Sequence, residues 1–389
     1  MPKERVNRHK NREQSKYFFD YSMLLIVLFL LGFGLLMIYS ASSYTSFAEH
    51  QDAAFYLKKQ ARNILIGIPV MALMAMIPYE KYAKFAFAGY IVSFLCIPLV
   101  KTPLGEESHG ATRWVRIPGL GMNVQPAELA KMFMILFLAV VVCKMGKSIR
   151  TLKGFLVMLA IPLPIVLEVY FLTNNLSSAI IIMGISVFMV FVASPDYKKF
   201  ILIALTIIAL AVLLVVLVKA KPELLGFRGD RIKAWLDPES YSGDKSYQTL
   251  QGLYAIGSGG VWGKGLGQSM QKMSFLPEAQ NDMIFSVICE ELGLFGGICI
   301  ILLFVMLLWR MMMTANNAPD LFGAMLVVGV MGHIAIQAIL NIAVVTASIP
   351  NTGITLPFIS YGGSSIVFLM AEIGAVMSVA RKAQRKNIT

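Results

Sequence analysis

FLPEAQNDMIFSVICEELGLFGGICIILLFVMLLWRMMM, residues 275–313, decides how the whole chain is read. Its second half is a run that only hydrocarbon accommodates. Its first half carries Glu278, Asp282, Glu290 and Glu291. A carboxylate inside a bilayer costs roughly 2.5–3.5 kcal/mol on insertion scales, so four of them at the mouth of a span need a reason. A straight helix over 283–313 would be about 46 Å long, against ~30 Å of hydrocarbon. The acidic first third is therefore expected to line a wet, protein-walled cavity.

Working outward, the composition agrees with a membrane location. Of 389 residues 57% are hydrophobic and 14% charged, with a mean hydropathy of +0.70, which excludes a soluble domain of this size. The four cysteines (96, 143, 289 and 299) lie in apolar runs without CxxC pairing and read as small buried hydrophobes. The four histidines are scattered, so no zinc-type cluster is visible. No cleavable signal peptide is expected, because the basic first sixteen residues meet an apolar run long enough to remain as a span.

Hydropathy predicts ten helices, at 20–41, 58–77, 82–101, 127–145, 153–172, 175–194, 199–219, 283–313, 319–345 and 363–380. The termini and the connections at 78–84, 144–153, 195–199 and 310–319 hold 19 of the 34 basic residues. The short connections 41–63 and 101–126 hold three each. The first set is cytoplasmic by the positive-inside rule. The expected fold is thus an all-α polytopic membrane protein with both termini cytoplasmic. A basic tail (1–19) precedes one membrane domain (20–380), and a second basic tail (381–389) follows it. A large extracytoplasmic loop, 219–281, joins helices 7 and 8; long loops translocate whatever their charge.

This orientation puts Asp282 at the outer headgroup level and Glu290 and Glu291 roughly 12–14 Å deeper along the helix axis. Asp282 has two readings: a helix N-cap, a service that Asn281 also offers, or a general base taking a proton from a sugar hydroxyl. Lys131, in PAELAKMFMILF, also has two. Pro126 suits a first helical turn, which sets Glu128 and Lys131 at i and i+3 for a local bridge; alternatively Lys131 reaches Asp282. Arg113 and Arg116 flank Trp114 in HGATRWVRIPGLGMNVQP (109–126). Arg forks bind phosphate and Trp stacks on sugars, while an interfacial aromatic belt gives the same pattern.

Two glycine-rich stretches carry less. AIGSGGVWGKGLG (255–267) fails the GxxxxGK[ST] phosphate-loop pattern and reads as amphipathic re-entrant structure. In LPFISYGGSS (356–365), Gly362 and Gly363 permit close backbone approach at a helix start that favours anions, with helix punctuation as the plain reading. Glu168 and Glu372, mid-helix acids, read as buried structural partners.

Taken in order, RWVRIPGLGMNVQPAELAK, IKAWLDPESYSGDKSYQTLQGLYAIGSGGVWGKGLGQSMQK, LPEAQNDMIFSVICEELGLFGG and IPNTGITLPFISYGGSS resemble the SEDS family (shape, elongation, division and sporulation) over nearly the whole chain. GLGQSMQK and LPEAQ are closer to its FtsW and SpoVE branches than to RodA. The resemblance implies a peptidoglycan glycosyltransferase that polymerises lipid II, with Asp282 as the essential acid. Gln125, Glu128 and Lys131 match the QPxExxK motif, in which the Lys is thought to contact the acid. Departures are Asn281 for Thr before that Asp, Asn175 where an acid is common, Ala343 for Gly and Asn351 for Val.

On this reading Asp282 deprotonates the GlcNAc 4-hydroxyl, which attacks C1 of MurNAc and expels undecaprenyl pyrophosphate. Arg113, Trp114, Gln125, Arg231, Glu290 and the turn Ser360, Tyr361, Gly362, Gly363 and Ser364 are the expected substrate contacts. The leaving group's charge is to be neutralised by Arg113, Arg116, Arg228 or Arg231, or by a divalent cation, Mg2+ or Mn2+. No nucleotide or organic cofactor is expected, nor a nucleic-acid partner. A class B penicillin-binding protein and other divisome or sporulation membrane proteins are the implied partners. A lipid II flippase and a non-catalytic scaffold are the rival readings; no inverted repeat of the transporter kind is visible.

Overall fold

The computed structural model describes residues 20–108, 111–117, 122–194, 197–220, 232–233, 235–237 and 244–386. The N-terminal tail, most of the outer segment before residue 244, Arg228 and Arg231 therefore lie outside the described residues. The helices are α1 (Tyr21–His50), α2 (Phe55–Met76), α3 (Glu80–Cys96), α4 (Pro126–Met145), α5 (Leu152–Ala160), α6 (Leu163–Thr173), α7 (Leu176–Ala193) and α8 (Tyr197–Ala220). After them come α9 (Asp244–Gly259), α10 (Ile284–Asn316), α11 (Leu321–Val345) and α12 (Ser365–Lys386).

Eight segments of the described chain are helical, long and apolar enough to cross a membrane, with α5 and α6 forming one of them. The break between α5 and α6 falls at Pro162, followed by Pro164, where the ring removes a donor and crowds the preceding turn. The other two predicted spans, α2 and α12, are helices of 22 residues each that carry more polar groups. They pack on each other closely: a Cβ on Gly374 would lie 2.3 Å from the Met71 carbonyl oxygen. α12 continues to Lys386, past the predicted end at 380.

Side-chain contacts sort the helix ends into two sets. At one end Arg310 grips both oxygens of Asp20 at 2.8 Å, Tyr79 donates to Asp320 at 2.7 Å, and Lys382 pairs with Glu80. Asp20 and Asp320 also cap α1 and α11 by accepting from Met23 N and Gly323 N. These residues come from the connections richest in Lys and Arg. At the other end stand the starts of α2, α4, α7, α10 and α12.

The all-α expectation is corrected in 105–124. Three antiparallel strands, β1 (Gly105–Ser108), β2 (Ala111–Ile117) and β3 (Met122–Val124), form a small sheet in the order β1-β2-β3. The alternation Thr-Arg-Trp-Val-Arg-Ile is a strand pattern, with β-branched and aromatic residues on a half-buried surface. Trp114 pairs with Glu106 and Arg116 with Asn123.

α10 is also not the straight rod expected. Gly293 has φ 69° and ψ −172°, a backbone region open in practice to glycine alone, and it interrupts the helix. The chain after α9 enters the break. Leu294 N and Phe295 N donate to Gly260 O and Val261 O, while Glu290 O and Glu291 O accept from Lys264 N and Gly265 N. Four backbone groups that lose helical partners thus find new ones, as non-helical backbone at membrane depth must. α9 runs parallel to the start of α10: Gly252 faces Met283 and Ser286, and Gly259 faces Cys289 and Glu290. The predicted re-entrant character of 255–267 has this geometric form.

Candidate active site

Asp282 precedes α10 and is 8% exposed. The N-cap position of α10 is Met283, and no side chain caps the helix. Asn281 instead pairs with Glu278. The capping reading of Asp282 is therefore excluded, and its carboxylate is turned to other groups. Gln248 Nε2, from α9, stands 3.4 Å from Asp282 Oδ1 and donates to the Pro277 carbonyl at 3.2 Å. Gln248 Oε1 accepts from Asn351 at 2.8 Å. A Cβ on Gly353 would be 3.7 Å from Asp282 Oδ2, so the 351–356 segment lies directly against the acid.

α11 fastens that segment with two amides one turn apart. Asn341 Nδ2 donates to the Asp282 carbonyl at 2.8 Å and to Ile354 O at 2.7 Å. Gln337 Nε2 donates to Thr355 O at 3.1 Å and to Thr355 Oγ1 at 3.3 Å. Lys131, 1% exposed, forms its ion pair with Glu128 at 2.8 Å and donates to Gln337 Oε1 at 3.3 Å. Of the two readings for Lys131, the structure takes the pairing with Glu128. Lys131 and Asp282 are related through Gln337, Asn341 and the 354–355 backbone.

The 360–365 turn gathers further predicted residues. Gln60 and Asn63 of α2 donate to Ser360 O and Gly363 O, and Tyr361 N donates to Gln280 O, two residues from Asp282. Ser364 Oγ accepts from Gln125 N, which holds the start of α4 against the turn. Ser360 Oγ accepts from Leu356 N, and Ser365 Oγ donates to Gly362 O. Gly363 has φ +52°, and the Trp114 ring lies over it, 3.3 Å from where a Cβ would stand. Only glycine meets both demands. Tyr361 meets Tyr56 edge-on at 5.1 Å between ring centroids, and burial pushes its hydroxyl up to about 12, so it remains a neutral donor.

Trp114, Gln125, Ser360, Tyr361, Gly362, Gly363 and Ser364 are thus brought together beside Asp282. Arg113 is directed at the α6–α7 turn, where Nη2 donates to Asn174 O at 3.3 Å. Arg116 is exposed on β2. Asn175, one of the departures, caps α7 by accepting from Ser178 N at 3.0 Å.

Glu290 requires correction. Glu290 and Glu291 are both 0% exposed and line no wet cavity. Glu290 binds Lys264 at 2.7 Å, Ser269, and the backbone N–H groups of Met270 and Gln271. Glu291 binds Lys272 at 2.7 Å, Ser40, and the N–H groups of Gly267 and Ser269. A buried carboxylate is tolerated when paired and hydrogen-bonded, and here both are spent on anchoring the re-entrant loop. Among the described residues no three His, Cys, Asp or Glu side chains converge to hold a metal.

Sequence reasoning missed Gln248, Gln337, Asn341 and Asn351. A signal existed for Gln337 and Asn341: two amides at i and i+4 inside an apolar span are as expensive unsatisfied as a charge is rare.

The fold and site define a polytopic helical membrane protein in which a buried acid just before α10 is framed by amide side chains and a glycine turn. The chain belongs to the FtsW–RodA–SpoVE family, whose model, described as "Cell cycle protein", matches residues 21–385. Stage V sporulation protein E of Bacillus subtilis is 37% identical over 93% of this chain and 97% of its own. The probable peptidoglycan glycosyltransferase FtsW of Trichlorobacter lovleyi is 35% identical over 93% of each chain. A chain of a peptidoglycan synthase complex that coordinates polymerization and crosslinking shares the fold, with a TM-score of 0.75 and 24% identity over 94% of this chain and 98% of that one.

Proposed function

We propose that the chain is a peptidoglycan glycosyltransferase that polymerises lipid II at the outer face of the cytoplasmic membrane, in division or sporulation. The observation that carries this reading is Asp282: a carboxylate at the start of α10, not spent on capping, where the 351–365 segment, α9 and the start of α4 converge. Family membership and the names borne by the curated relatives support the same chemistry.

Asp282 takes the proton of the GlcNAc 4-hydroxyl of one glycolipid. That oxygen attacks C1 of the other substrate's MurNAc, inverting the centre, and undecaprenyl diphosphate leaves. Base assistance typically supplies 10²–10⁴-fold, with positioning and charge stabilisation supplying the rest. Arg113 and Arg116, flanking Trp114 on β2, are the cations assigned to neutralise the diphosphate. A divalent cation, Mg2+ or Mn2+, would be held by Asp282 as its protein carboxylate. It would add to the neutralisation of the leaving group.

The topology belonging to this function has ten spans, α2 and α12 included, with both termini cytoplasmic and Asp282 outside. A class B penicillin-binding protein is the partner, in keeping with the assembly in which the structural neighbour was solved. The test uses purified protein and lipid II, with glycan chains resolved on a gel. Wild type is expected to form polymer, and D282N none. Movement of lipid II across vesicles without polymer would favour a flippase instead.

A further inference from the structure

A second set of titratable groups lies inward of Lys131, unused by the mechanism above. His333 of α11 and Glu372 of α12 are 1% and 2% exposed. His333 Nδ1 is 2.8 Å from Glu372 Oε2, and His333 Nε2 is 3.0 Å from Gln337 Oε1. We infer that His333, braced by Glu372, is a positioning residue that sets Gln337, and through it Lys131 and the 354–355 backbone beside Asp282. The inference rests on the polymerase reading and adds residues to that site.

Donor and acceptor counting fixes the arrangement. Gln337 Nε2 faces a carbonyl and a hydroxyl of Thr355, so its oxygen must be the atom turned to Lys131 and His333. His333 Nε2, facing that oxygen, must carry a hydrogen. His333 Nδ1 faces a carboxylate oxygen at hydrogen-bond distance, so a proton lies there too. The pair holds one proton more than a neutral imidazole beside a carboxylate, and its net charge is zero. Glu128 and Lys131 are likewise neutral together. Two neutral pairs flank one amide, and that amide's oxygen receives a donor from each.

The charged groups facing His333 are Glu372 from α12 and, across Gln337, Lys131 and Glu128 from α4. α7 presents Phe188 and Met189 to the adjacent glycines of α11. The charges of α10 are engaged elsewhere: Arg310 with Asp20, Glu290 with Lys264 and Glu291 with Lys272. Those of α3, Glu80, Lys81 and Lys84, stand at its opposite end, four turns or so from the site.

The test compares E372Q and H333L/E372L with wild type in lipid II polymerisation. In E372Q the amide can donate to His333 Nδ1 while Nε2–H still donates to Gln337, so kcat is expected to stay within about threefold of wild type. H333L/E372L removes both groups without stranding a charge. Gln337 then loses one of its donors, and kcat is expected to fall roughly tenfold with KM unchanged. Wild-type kcat in H333L/E372L, or a kcat in E372Q that falls as far as in H333L/E372L, overturns the inference. D282N separates the two levels: polymer from D282N defeats the polymerase assignment, whereas inactive D282N with unaffected His333 and Glu372 variants defeats only the relay. Should H333L/E372L fail to fold, E372L, which removes the brace alone, is read in its place with the same expected fall in kcat.

Discussion

Replacing Gly293 with alanine tests the helix break on which the re-entrant loop depends. At φ 69° and ψ −172° a side chain costs about 1–3 kcal/mol in backbone strain. Its Cβ would also stand 2.3 Å from Val261 O and 2.4 Å from Gly263 N, which are backbone atoms that no rotamer change can move. α10 can relieve both faults by closing into a continuous helix, with residues 294 and 295 bonding back to 290 and 291. The loop then bears the loss: Gly260 O, Val261 O, Lys264 N and Gly265 N give up their partners. At about 1 kcal/mol each, those four cost roughly 4 kcal/mol, a large share of the whole stability of many domains. G293A is therefore expected to undock 260–272. A single cysteine placed at Ser269, which is 0% exposed, would report this through labelling by a membrane-impermeant maleimide, rising at least tenfold, with lipid II polymerisation lost in parallel. Unchanged labelling in an active G293A protein would refute the account of the break.

Other outcomes follow from the same geometry. K131M strands Glu128 in a dry site at about 3–5 kcal/mol; K131M/E128L should recover most of the melting temperature, read by thermal shift in detergent, but not activity. N351V frees Gln248 from its acceptor role beside Asp282, and a kcat five- to tenfold lower is expected with the melting temperature little changed. G363A forces a side chain at φ +52° under Trp114; about 1–2 kcal/mol of stability should be lost, and KM for lipid II should rise if the turn binds substrate.

The spans were legible because a run of twenty apolar residues has few alternatives, and Lys and Arg mark its ends. Asp282 was legible because an acid at such a boundary is costly. The role of Glu290 was not, since sequence shows a carboxylate's depth along a helix but not which cations a distant loop brings to it. Lys264 and Lys272 arrive from about twenty residues upstream. Gly293 was hidden among three glycines in GLFGG, any of which could have kinked the helix; only the loop threaded into the break selects one. The sheet was missed because Arg113, Trp114 and Arg116 were weighed as ligands, and their alternation as a strand was left unread. Arg231 lies outside the described residues, so its expected contact with substrate stands as proposed.

The ion pairs Glu128–Lys131, Glu290–Lys264 and Glu291–Lys272 have a further consequence. Membrane voltage exerts about 2.3 kcal/mol per elementary charge per 100 mV, but on a tight pair the two forces nearly cancel. Loop and helices can shift together during a catalytic cycle without transporting net charge through the field.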